Sequence, residues 1–125
     1  MYARSSKYHA KKQEIDGHTF DSQAEARRYV YLKGLQAVGA ISDLELQPRF
    51  TLQEAFDRGG KHIRKVEYAA DFAYTDGDGA RIVEDVKGMQ TEVYKLKKKL
   101  FLFRYPGLVF REIGTSQKAQ MEEYF

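Results

Sequence analysis

Residues 68–88 read YAADFAYTDGDGARIVEDVKG. Apolar residues alternate on both sides of a Gly/Asp-rich centre, the pattern of two strands joined by a turn. Asp71 lies on the first strand, and Asp85-Val86-Lys87 closes the second. The strand period of two puts Asp85 and Lys87 on one face. Two carboxylates and a lysine converging at strand ends can hold a hard divalent cation and orient a water, the requirements of metal-assisted phosphodiester hydrolysis. The same residues also fit a surface hairpin with scattered charge, because short acidic motifs recur by chance.

Hairpin register decides which acid works with Asp71. Thr75 opposite Ala80 sets Glu84 across from Asp71. One more loop residue, or a bulge, sets Asp85 there instead, and a one-residue slip turns every side chain to the other face. We take the second register. Ile82 and Val86 then join the core side, Val83, Asp85 and Lys87 face the site, and Glu84 becomes a supporting or edge residue. Asp76-Gly77-Asp78-Gly79 reads as turn chemistry; Ala80 stands where a calcium loop needs another oxygen.

Upstream, residues 63–75 read as one strand. Val66, Tyr68, Ala70, Phe72 and Tyr74 line its core face, and Glu67, Ala69, Asp71 and Ala73 line the other. Residues 55–61 read as a loop around Gly59-Gly60. Residues 43–53 (DLELQPRFTLQ) alternate as a strand, with Pro48 demanding an edge position or a bulge. Ser22-Gln23-Ala24-Glu25 is a capping box opening a helix to about Val38, stopped by Gly39. Tyr29, Leu32 and Leu35, with Val30, Tyr31 and Val38, give that helix a broad apolar side. Glu25 has two readings, as the cap's reciprocal partner or as a carboxylate leaning toward a metal. Ile15 and Phe20 flank a turn at Asp16-Gly17.

Downstream, Thr91 caps a helix to about Arg104. Val93, Leu96, Leu100 and Phe103 recur at helical spacing and are expected to pack on the sheet. Tyr94 is expected to pack there too. Lys95, Lys98 and Lys99 point elsewhere, toward phosphates. Residues 108–113 (LVFREI) form a last strand, and a terminal helix through Tyr124 docks by Met121 and Tyr124.

The chain has 125 residues, 42% hydrophobic and 14% aromatic, enough for one folded domain, here taken as residues 14–125 behind a flexible basic arm at 1–13. There is no cysteine, which excludes disulfides and thiolate zinc sites and fits a reducing compartment. The three histidines show no metal-ligand spacing, and neither a membrane span nor a signal peptide is visible. The net charge is only +3, but its placement is uneven. The first twelve residues carry Arg4, Lys7, Lys11 and Lys12 and no acid. Lys95, Lys97, Lys98, Lys99 and Arg104 form a second cluster. Basic flanks around an acidic centre suit a polyanion gripped outside and cut inside; a lysine run also serves as a solvated helix face. Tyr2, Tyr8 and His9 interleave the arm as base-stacking groups would.

Helix, strand, hairpin, helix, strand is the order αβββαβ. With Glu25, Asp71 and Asp85-x-Lys87, it resembles the PD-(D/E)XK nuclease superfamily. KYHAKK, FDSQAEARRY, ISDLELQPRF, YAADF, VEDVKG and YKLKKKLFLF look like a small phage and prophage nuclease-like family within it, similar to Holliday-junction resolvases. The likeness covers roughly residues 7–113; Ala70, where the superfamily motif has proline, departs from it. The resemblance implies an α/β fold with a restriction-endonuclease-like core, a mixed central sheet flanked by helices. It implies a divalent-metal-dependent DNA endonuclease. Asp71, Asp85 and the Val86 carbonyl would bind Mg²⁺ or Mn²⁺, with Glu25 joining them, and Lys87 would position the attacking water. Lys7, Lys11, Lys12, Tyr94, Lys95, Lys98 and Lys99 would contact the nucleic acid. With no sequence-reading module visible, selection of branched or junction DNA is the expectation. A homodimer follows by analogy, as does the cytoplasm of a bacterial host. The alternative is a non-catalytic nucleic-acid-binding module on a nuclease fold.

Overall fold

The computed structural model describes residues 12–116. The expected basic arm up to Lys11, and the expected terminal helix with Met121 and Tyr124, lie outside the described residues.

The chain opens with a tight hairpin, β1 (Gln13–Ile15) and β2 (His18–Phe20), turned by Asp16 and Gly17 at φ 55° and 80°. Helix α1 (Gln23–Ala37) follows. The Ser22 hydroxyl accepts the Glu25 amide at 3.1 Å. Only half of the capping box is therefore used for the cap, and the Glu25 carboxylate turns elsewhere. Gly39 ends the segment at φ 81°, where a left-handed backbone favours glycine.

Four strands form the central sheet in the order β10-β9-β8-β3. They are β3 (Ser42–Leu46), β8 (Phe72–Thr75), β9 (Arg81–Val86) and β10 (Val109–Ile113). β3 pairs antiparallel with β8 and β8 antiparallel with β9, whereas β10 lies parallel to β9 after the crossover through α2 (Glu92–Arg104). The parallel pair needs a long connection, and α2 supplies it. The protein is thus mixed α/β, with two helices on opposite faces of a mixed sheet.

Side-chain alternation divides the interior. Phe72, Tyr74, Ile82, Val86 and Ile113 point to α1 and pack with Phe20, Ala26, Tyr29 and Leu32. Ala73 and Val83 point to α2 and pack with Tyr94, Phe101 and Tyr68. The β8–β9 loop spans five residues, because Thr75 pairs with Arg81. The Asp76 carboxylate accepts the Asp78 and Ala80 amides, both at 2.9 Å, so the repeated Asp-Gly is a turn and not a cation loop.

Four expectations are corrected. First, residues 63–75 are not one strand. β7 (Val66–Ala69) and β8 belong to different sheets, and the chain twists at Ala70-Asp71, so Tyr68 and Ala70 face α2 while Phe72 and Tyr74 face α1. Secondly, residues 43–53 are likewise two strands, β3 and β4 (Arg49–Gln53), separated at Gln47, whose φ is 51°. The breaks coincide: Asp71 O accepts the Gln47 amide at 2.9 Å, and Pro48 O accepts the Ala70 amide at 3.0 Å. The whole ladder therefore bends as a unit. Thirdly, residues 55–61 are not a loop. They belong to a ribbon of β5 (Phe56–Arg58) and β6 (Lys61–Ile63), turned at Gly59-Gly60. Fourthly, the α2 stripe faces outward. Val93, Leu96, Leu100 and Phe103 are 63%, 56%, 41% and 88% exposed, and Tyr94 and Phe101 take the sheet side instead. On α1, Val30 and Val38 are also exposed, whereas Arg28 is completely buried.

Candidate active site at the bend

The bend creates the site. Asp71 emerges where β8 leaves the ladder, opposite the end of β9. Its Oδ2 accepts the Val86 amide at 2.7 Å. Val86 thus meets Asp71 through its N–H. The Phe72–Glu84 pairing continues by one step to Asp71 and Asp85, which is the chosen register. Asp85 and Lys87 lie on the α2 face, and Lys87 Nζ stands 3.3 Å from Asp85 Oδ1. The Tyr94 ring supports the ammonium at 4.6 Å, a cation–π contact.

Glu25 reaches Asp71 from the first turn of α1 and hydrogen-bonds to it. Glu25, Asp71, Asp85 and Lys87 are thus brought to the same end of the sheet. Burial raises Asp71 to about 8, reinforced by the hydrogen bond and charge of Glu25 and opposed by the Val86 amide and Lys87. Burial likewise raises Asp85 to about 7, with Asp71 adding repulsion and Tyr68 and Lys87 opposing. Both acids are poised near neutrality by desolvation and like charge.

The donor set is hard oxygen, which suits Mg²⁺ or Mn²⁺. Asp85 Oδ1 is buried and makes no hydrogen bond, so one carboxylate oxygen is left to a charge partner, Lys87 or a cation. That oxygen fits a divalent ion. Yet among the described residues no three acidic or histidine side chains stand in ready-made ligand geometry. Asp71 points to the Val86 amide and to Glu25, and Asp85 gives its Oδ2 to the Tyr68 hydroxyl.

Several supporting residues escaped the sequence reading. Tyr68 donates its hydroxyl to Asp85; its place in the alternating pattern suggested only packing. Glu112 lies on β10 beside Asp85. Its Oε2 accepts the Tyr94 hydroxyl at 2.6 Å and the Gln90 amide at 3.1 Å, and its Oε1 pairs with Lys98 at 3.0 Å. Burial pushes Glu112 up, but Tyr94, Lys98 and Gln90 outweigh it and hold it below the usual carboxylate range. Tyr94 is itself pushed well above its ordinary value by burial, then by the Glu112 bond.

Beneath the site, Arg28 of α1 grips Glu84 of β9 through Nε–Oε1 at 2.7 Å and Nη2–Oε2 at 2.5 Å, and Tyr74 donates to the same carboxylate. Both charged side chains are 0% exposed. Glu84 is therefore a core ion pair and not an edge residue. Arg28 is one helical turn from Glu25, so the pair fixes α1, and with it Glu25, against the strand carrying Asp85.

The lysines expected to grip nucleic acid are dispersed. Lys98 turns to Glu112 and the Phe110 ring, Lys95 pairs with Glu92 at 3.3 Å, and Lys99 and Lys12 are exposed. Tyr94 is buried and belongs to the site rather than to an outer surface. Lys7 and Lys11 lie outside the described residues.

A family model described as "Protein of unknown function (DUF1064)" matches residues 5–121. No curated protein matches the chain, and no solved structure does.

Proposed function

The chain belongs to the DUF1064 family, and for this member we propose a divalent-metal-dependent DNA endonuclease that hydrolyses phosphodiester bonds and prefers branched or junction DNA. One observation carries the reading. Glu25, Asp71 and Asp85 meet at a bend of the sheet with the Lys87 ammonium 3.3 Å from Asp85. The element order α1, β3, β8, β9, α2, β10, with the strand pairs β4–β7 and β5–β6 inserted, supports a restriction-endonuclease-like core of the PD-(D/E)XK type.

Asp71 and Asp85 would hold Mg²⁺ or Mn²⁺, with Glu25 and the Val86 carbonyl completing the oxygen set. A bound divalent ion supplies Lewis acidity at the scissile phosphate. The protein's own groups do the rest. Lys87 is fixed between Asp85 and the Tyr94 ring, where its ammonium orients a water for in-line attack and offsets charge on the phosphate. Tyr68 holds the Asp85 carboxylate in one rotamer, and the Glu112 network holds Tyr94 beneath Lys87.

The test is a cleavage panel of duplex, flap, single-strand and four-way-junction DNA with Mg²⁺ or Mn²⁺. Lys87→Ala and Asp71→Asn should abolish cleavage while remaining folded; cleavage that persists in both overturns the assignment. A second reading is a nucleic-acid-binding module without catalysis. It is favoured by the inward hydrogen bonds of Asp71 and Asp85 and by the lack of ready-made ligand geometry among the described residues. DNA binding without cleavage under every metal and substrate would select it.

The outward stripe of α2 fits a second copy of this chain. Val93, Leu96, Leu100 and Phe103 are spaced three, four and three apart, the a–d rhythm of a two-helix seam. Antiparallel pairing about a dyad near Lys98 sets Val93 of each copy beside Phe103 of the other, and Leu96 beside Leu100. Among the described residues no helix is long and apolar enough to cross a membrane.

A further inference from the structure

The β5–β6 ribbon has no structural use within its own fold. Residues 53–65 are all exposed. An isolated two-stranded ribbon buries too little to stabilise itself, so a ribbon maintained away from the core implies something that it contacts.

Its composition identifies the chemistry. Residues 56–65 carry Arg58, Lys61, Arg64 and Lys65 against one acid, Asp57. That balance, +3, equals the formal charge of the whole chain. Asp57 is taken by His62 at 2.9 Å, and Lys65 by Glu67 at 3.0 Å. Among the described residues, Arg58, Lys61 and Arg64 have no acidic partner. Each is a cation with an open coordination shell.

The register arranges these groups. Phe56 pairs with Ile63, Asp57 with His62, and Arg58 with Lys61. Alternation puts Phe56, Ile63, Arg58 and Lys61 on one face, with cations at the tip and an apolar pair at the base. A membrane-inserting hairpin would carry its apolar residues at the tip. A duplex arm needs the order seen here: cations for phosphates at the end, and apolar groups for sugar and groove walls behind. A two-stranded ribbon also has the width that a B-DNA major groove admits.

Position supports the same conclusion. β7 leads from the ribbon directly into Asp71. The ten residues from Lys61 to Asp71 span at most ~33 Å at ~3.3 Å per residue, about ten base pairs of duplex.

We infer that the β5–β6 ribbon is a duplex-nucleic-acid-binding arm, in which Arg58, Lys61 and Arg64 contact phosphates up to one helical turn from the scissile bond. This rests on the nuclease reading for its substrate class, but it is tested by binding alone. Three phosphate contacts contribute about 2.7 to the slope of log K against log salt, at ~0.9 each.

The experiment is fluorescence anisotropy with a labelled 30-base-pair duplex in EDTA at 50–200 mM KCl. The triple variant Arg58→Ala, Lys61→Ala, Arg64→Ala should lose at least tenfold in affinity at 50 mM and about 2.7 in slope. Lys61→Glu alone should lower affinity in the same direction, and Arg58→Lys, Arg64→Lys should retain the slope. Circular dichroism and thermal midpoints should match wild type, since every substituted residue is exposed. Shortening the duplex to eight base pairs should erase the difference between wild type and the triple variant.

An unchanged affinity and slope in the triple variant, with wild type binding the duplex, overturns the arm and leaves the nuclease reading intact. If wild type binds no nucleic acid, both readings fall. Arg58-dependent binding to phosphatidylserine vesicles without duplex binding would reassign the ribbon to a membrane surface and overturn the inference.

Discussion

Replacing Asp71 with asparagine should make the metal-free protein more stable while removing activity. The side chain is nearly isosteric. Its carbonyl oxygen can still accept the Val86 amide, and its NH₂ can donate to Glu25, which now shares a hydrogen bond with Asp71. What disappears is a charge in a desolvated place beside two other acids. Asp71 is raised to about 8 in the folded protein against an ordinary value near ~4 in the unfolded chain. The folded state therefore holds this proton more tightly than the unfolded state. Wild-type stability from this group is fully present below pH ~4 and declines by up to ~1.4 kcal/mol per pH unit until about pH 8. Asparagine cannot ionise and shows no such decline. The advantage of Asp71→Asn should be small at pH 5 and grow to several kcal/mol at pH 9, with ~5 kcal/mol as the ceiling. Urea unfolding in EDTA at pH 5, 7 and 9 measures it. Adding Mn²⁺ should then stabilise wild type, more at higher pH, and leave the variant unmoved, because a cation competes with the proton for the carboxylate. A variant less stable than wild type at pH 9, or a difference that ignores pH, would refute the reasoning.

Other substitutions probe the supporting parts. Glu84→Gln should cost about 3–5 kcal/mol by stranding Arg28, while Arg28→Met combined with Glu84→Leu should recover most of that loss; chemical denaturation of the two variants checks both. Tyr68→Phe removes the hydroxyl that lowers Asp85, so the acidic limb of the cleavage pH profile should move up by about one unit or more, with rates approaching wild type near pH 9. Phe103→Glu and Leu96→Glu should convert a dimer to a monomer in light scattering while far-UV circular dichroism stays that of wild type, since both residues are exposed on the single chain. A dimer surviving in the double variant would remove α2 from the interface.

The legible parts of the fold were those set by local chemistry. Ser22, Thr91 and Gly39 mark helix ends through caps and a left-handed backbone, and the structure has them there. The Asp76 turn and the five-residue loop fix the register that joins Asp71 to Asp85. The juxtaposition of Asp71 and Asp85 was therefore readable as soon as the hairpin was. Elements whose orientation depends on distant partners were not. An apolar stripe at helical spacing reads the same whether it faces the sheet or a second molecule, so Val93, Leu96, Leu100 and Phe103 were placed on the wrong side. The Arg28–Glu84 pair was not anticipated, because each charge is acceptable inside only through the other, 56 residues away.

The break in residues 63–75 explains why alternation failed beside Asp71. A straight strand would keep Asp71 on the same face as Ala69 and Ala73, with Tyr68 and Phe72 on the other. In the bent chain Tyr68 and Phe72 serve opposite faces. That half-twist allows the Tyr68 hydroxyl to reach Asp85 from below while Asp71 reaches the Val86 amide and Glu25 across the sheet end. The backbone at the twist keeps its hydrogen bonds through Gln47 and Pro48, so the bend leaves those buried polar groups satisfied. It follows that β3 and β4 must break where β7 and β8 break. Pro48 does this from the partner side: it supplies no amide and offers its carbonyl to Ala70. The proline expected at an edge position or a bulge lies between two edge strands and is also one of the residues that bring the acids together.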